Sequence, residues 1–99
     1  MKAKGGLLLT AIVLLAFPVG ALADEPSPTV LANTCFSCHG TDGKSPGAMP
    51  SLDEKSASYI AQTLREFRSD EIENTVMSRI AKGFSDAEID ALAEQLGRK

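Results

Sequence analysis

The chain has 99 residues, 43% of them hydrophobic, with 10 Lys and Arg against 13 Asp and Glu and a formal charge of −3. That length allows one domain. The acidic balance argues against nucleic acid as a partner, because phosphates would repel it.

The N-terminus reads as an export leader. Lys2 and Lys4 give a positive start, Leu7 to Ala16 is an apolar run, and Pro18 and Gly20 break it. Ala21-Leu22-Ala23 places small residues where a signal peptidase acts, so residues 1–23 are expected to be removed, with cleavage before Asp24. The competing reading is an uncleaved anchor. The run is shorter than the roughly 20 apolar residues that a span needs, so no membrane span is expected after cleavage. Losing Lys2 and Lys4 leaves 8 basic against 13 acidic side chains in residues 24–99, a charge of −5. A periplasmic domain of this size makes a marginal hydrophobic core on its own. Phe36, Tyr59, Phe67 and Phe84 are its only aromatic residues, so another group is expected to fill its centre.

Ser27 followed by Pro28 reads as an N-cap and first helical position. A short helix through Val30, Leu31 and Thr34 would then deliver Cys35. Gly40, Gly43, Pro46, Gly47 and Pro50 make residues 40–55 a long loop. A second helix is expected from Ser56 to about Arg68, with Tyr59, Ile60, Thr63, Leu64 and Phe67 as one apolar stripe. Residues 69–74 read as a polar turn. Thr75 to Ala81 reads as a helix ended by Gly83. Ser85-Asp86-Ala87-Glu88 is a capping box for a last helix, where Ile89, Leu92, Ala93 and Leu96 recur at helical spacing before Gly97 stops it. Arg98 and Lys99 then sit at the negative end of its dipole. No β-alternation of useful length is present, so the fold class is all-α.

Cys35-Phe36-Ser37-Cys38-His39 is C-x-x-C-H, the attachment signature of c-type haem. Two thiols three residues apart can reach two vinyl groups on one side of a porphyrin and form thioethers. The adjacent histidine then ligates the iron, and Gly40 removes a side chain where backbone and macrocycle come close. A thioredoxin-like pair would want a βαβ setting, and structural zinc would want a fourth ligand, which the sequence lacks. His39 is the only histidine, so bis-histidine ligation is excluded. Met49 and Met77 are the candidate second ligands. Met77 is favoured because 38 residues let the chain cross to the opposite haem face, whereas Met49 lies in the loop beside His39. Plain core packing is the rival role for Met77.

The sequence resembles class I cytochromes c from about Leu31 to Leu96. The resemblance rests on the C-F-S-C-H-G box, Pro50-Ser51-Leu52, Met77-Ser78-Arg79-Ile80-Ala81 and Ser85-Asp86-Ala87-Glu88-Ile89. It implies a small cytochrome c fold, short helices wrapped around one covalent haem c, with the first and last helices in contact. It implies Met77 as the second ligand and the Pro50 carbonyl as acceptor for the proximal imidazole N–H. More narrowly, residues 75–86, Cys38 to Ser45 and Met49 to Leu52 are similar to the cytochrome subunit of flavocytochrome c sulfide dehydrogenases. That implies a flavoprotein (FAD) partner that oxidises sulfide and passes electrons to this haem. An aromatic residue found late in the last helix of many relatives is absent here, so an aliphatic contact must serve. The expected function is one-electron transfer with no catalytic residues of its own. A free periplasmic shuttle, or a haem protein with an open sixth site acting as peroxidase or gas sensor, are the alternatives.

Overall fold

The computed structural model describes residues 25–73 and 75–99, together with Gly5, Gly6, Ile12, Val13, Ala16 and Gly20. The expected cleavage point before Asp24, and most of the leader, lie outside the described residues, as does Asn74. The described part is helical and contains no strand. It comprises α1 (Pro28–His39), a short 3₁₀ turn (Thr41–Gly43), α2 (Ala57–Arg68), α3 (Thr75–Ala81) and α4 (Asp86–Leu96). No helix among the described residues is long and apolar enough to cross a membrane.

Local chemistry sets the helix starts. The Ser27 hydroxyl accepts from the Val30 N–H at 3.3 Å, with Pro28 in the first turn. The Ser56 hydroxyl accepts from the Tyr59 N–H at 3.2 Å. At α4 the capping box closes both ways: Glu88 N–H donates to Ser85 Oγ at 3.2 Å, and Ser85 N–H donates to Glu88 Oε1 at 3.0 Å. The hydrogen bond from the Ser85 backbone N–H, and after it the Ser85 hydroxyl, hold the Glu88 carboxyl below its ordinary range.

The core is small. Ile60, Ala61 and Leu64 of α2 meet Ile89, Leu92, Ala93 and Leu96 of α4, and Ala32 of α1 completes the cluster. Helix α4 therefore packs on both α1 and α2, while α3 packs on α2. The contact between first and last helices is aliphatic: Ala32 is fully buried, and its short side chain lets α4 approach closely. Gly97 ends α4 with its N–H on the Ala93 carbonyl at 2.8 Å. A Cβ there would stand 2.8 Å from the Ala57 backbone nitrogen, so the end of α4 abuts the start of α2 because residue 97 has no side chain. Arg98 N–H then donates to the Lys55 carbonyl at 2.7 Å.

The apolar stripe of α2 is narrower than its spacing suggests. Tyr59 is 52% exposed and lies outside the core, with Lys55 Nζ 5.4 Å from its ring centroid. On α3, Ser78 and Ala81 are buried, whereas Val76 and Ile80 are exposed.

Candidate functional site

The end of α1 carries Cys35, Cys38 and His39 on one helix terminus. Residues three apart on a helix share a face, so the two cysteines lie on the same side. Both are free thiols, Cys35 half-buried and Cys38 exposed. Cys35 Sγ lies 3.8 Å from the Leu31 carbonyl, one turn back. Burial pushes the Cys35 thiol above its ordinary pKa, which keeps it neutral rather than a thiolate.

His39 is 7% exposed, and its Nδ1 lies 2.6 Å from the Pro50 carbonyl oxygen. A carbonyl only accepts, so Nδ1 carries the proton and donates. Nε2 is then the ring nitrogen with a lone pair, the form in which imidazole binds a metal ion. Among the described residues, no group of three or more His, Cys, Asp or Glu side chains could hold a metal by itself.

The loop after α1 brings Pro50 to this ring. Gly40 takes φ 87° and Gly43 φ 77°, left-handed backbone that glycine adopts without strain. A Cβ at Gly40 would strike the Lys44 carbonyl, so a tight turn of the chain requires glycine there, independently of any approach to a macrocycle. The Gly43 carbonyl then accepts from Leu52 N–H at 2.8 Å, and Ser51 Oγ accepts from Ser45 N–H at 3.0 Å. These two bonds fold residues 44–52 back on themselves, with Pro50 at the histidine. Sequence reading placed a working loop here but not Gly43 and Ser51 as its fasteners. Gly43 is buried and its carbonyl meets Leu52 nine positions later, a pairing that no sequence pattern announces.

The two candidate methionines differ. Met49 is 42% exposed at the loop surface. Met77 is half-buried and packs against the edge of the core cluster, which Cys35, Phe36 and Leu52 also border. A shallow groove along α2, lined by Gln62, Arg65, Glu66 and Arg68 and bordered by Asp90 of α4, contains none of these residues. Two thiols on one helix face, a buried imidazole with Nε2 available and a thioether at the core edge form a donor set that fits covalent haem.

The family profile described as Cytochrome c matches residues 26–96. The chain is 43% identical over 73 residues to the cytochrome subunit of sulfide dehydrogenase from Chlorobaculum tepidum, covering 74% of this chain and 66% of that protein. It is 39% identical over 67 residues to the thiosulfate dehydrogenase electron acceptor of Stutzerimonas stutzeri, covering 66% of this chain and 31% of that protein. It is 32% identical over 91 residues to cytochrome c-553 of Helicobacter pylori, covering 90% and 93%. The chain thus spans less than two thirds of the length of the first two relatives.

Proposed function

The chain belongs to the cytochrome c family, electron-transfer proteins that carry covalent haem c, and from that premise we propose a periplasmic one-electron carrier with His39 and Met77 as its axial ligands. Bound haem c supplies the Fe(III)/Fe(II) couple. Cys35 and Cys38 hold it through thioethers. His39 presents Nε2, and the Pro50 carbonyl fixes the ring plane and makes the imidazole a stronger donor. Met77 offers a soft thioether that favours the ferrous state and raises the potential. With His39 and Met77 both holding the iron, it would be closed to substrate, and substrate chemistry would fall to a partner. The observation that carries this reading is the buried His39 ring donating to Pro50 at the end of a C-x-x-C-H helix. Residues 1–23 act as the export leader, and residues 24–99 form the functional domain.

The partner in this reading is a flavoprotein (FAD) sulfide dehydrogenase subunit. The similarity to a cytochrome subunit of sulfide dehydrogenase supports it. The test mixes the purified haem-loaded protein with such a flavoprotein subunit from the same genome and adds sulfide. Haem reduction is expected to be much faster than with sulfide alone. A complex that survives high salt would mark a fixed subunit, and salt-sensitive turnover without one would mark a shuttle. Reduction no faster than with sulfide alone would exclude this partner.

A further inference from the structure

Helix α3 and Met77 lie in the segment that leaves α2 and returns to α4, and charged side chains grip the base of that segment. Arg68, the last residue of α2, donates from Nη1 to the Phe84 carbonyl at 3.1 Å and from Nη2 to Asp86 Oδ1 at 2.5 Å. Phe84 precedes the capping box and packs against the core, and Asp86 opens α4. One guanidinium thus ties the departure of the segment to its return, 16 positions later. Lys82 Nζ, just beyond α3, meets Asp70 Oδ1 at 2.6 Å and closes the same loop slightly further out. An exposed Lys–Asp pair of that kind contributes little by itself. The Arg68 fork is different in kind, because it engages a backbone carbonyl and a carboxylate at once in a fixed geometry.

Arg65 supplies a built-in contrast. It lies one turn earlier on α2 and bonds to Asp86, at Oδ1 and at the backbone carbonyl (both 3.4 Å), and to Asp90 Oδ1 at 2.8 Å, so it too engages a carbonyl and a carboxylate, but both within α4. It therefore fastens α2 to α4, as Arg68 also does through Asp86, but among the described residues its bonds stop at Asp86 and Asp90, and Arg68 is the one that holds the Phe84 carbonyl of the returning segment. Asp86, held by both arginines with Arg68 the stronger influence, is kept well ionised, its carboxyl below the usual range.

We propose that Arg68 is a positioning residue for Met77: by bridging Phe84 and Asp86 it sets where the returning segment joins the fold, and so holds the Met77 sulfur against competing ligands. This rests on the reading of Met77 as the second axial ligand. The test titrates the ferric haem-loaded protein with imidazole, which must displace a protein ligand to bind. Arg68→Ala is expected to bind imidazole roughly tenfold more tightly than the natural sequence, about 1.4 kcal/mol. Arg68→Lys, which keeps the charge but loses the fork, should fall between them and serves alone if Arg68→Ala yields no loaded protein. Arg65→Ala should bind imidazole as the natural sequence does, even where its melting temperature falls as far. Equal affinity in the natural and Arg68 variants would overturn the proposal, and so would equal gains in the Arg65 and Arg68 variants, which would mean general loosening. Met77→Ala separates the underlying reading: it should bind imidazole most tightly of all. If it does not, Met77 is not the displaced ligand and the role of Arg68 falls with it.

Discussion

Replacing His39 by Ala is expected to reduce the yield of stable haem-loaded protein below detection. The chain has no second histidine to take its place. The imidazole is also built into the fold: it is buried, and it satisfies the Pro50 carbonyl through a 2.6 Å bond. Removing it takes away the ligand and leaves that carbonyl without its partner, a cost of about 1–3 kcal/mol where the group stays out of water. A domain of this size has little stability to spare. Absorbance of the purified protein, expressed with haem maturation machinery, decides the matter. Full haem loading with an unchanged spectrum would remove His39 from the site.

A second large effect is expected at Leu92. Among the described residues, Leu92 and Ile89 are the two largest side chains with essentially no exposure, and both sit where α4 packs on its neighbours. Leu92→Ala removes apolar contact and leaves a cavity, at a cost of about 2–5 kcal/mol. For a domain of 60–100 residues that lowers the melting temperature by at least ~8 °C. Gln95→Ala, exposed on the same helix, should leave it nearly unchanged. An unshifted Leu92→Ala would mean that α4 is not the centre of the core.

What the sequence made legible was local. Ser27 with Pro28, Ser56, and Ser85 with Glu88 mark helix starts because a cap needs only residues three or four apart, and each forms the hydrogen bond its position implies. The all-α class and the contact of first and last helices were legible too, from helical spacing and from the resemblance. The C-x-x-C-H box was the strongest signal, since its chemistry lies within five residues.

What escaped the sequence depends on long-range pairing. Nothing in the sequence announced the pairings of Arg65 and Arg68, because their partners lie 16 to 25 positions away. Gly40 has a second reason to be glycine that the sequence did not show, since a side chain there would meet the Lys44 carbonyl. Tyr59 fell on the apolar stripe by spacing, yet periodicity gives a direction and not the width of the surface that covers it. The bond from the Gly43 carbonyl to Leu52 joins two loop residues with no periodic pattern at all.

In the proposed site His39 and Met77 would together close the iron to substrate and leave the protein an electron carrier. The near-infrared absorption spectrum of the ferric haem-loaded protein tests it most directly, because methionine–iron coordination gives a weak band there that open sites lack. The band is expected in the natural sequence and in Met49→Ala, and absent in Met77→Ala. The potential of Met77→Ala should also fall by about 59 mV or more, a tenfold shift in the one-electron equilibrium. A band that survives Met77→Ala and disappears in Met49→Ala would move the ligand to the loop, and no band in the natural sequence would contradict the closed site altogether.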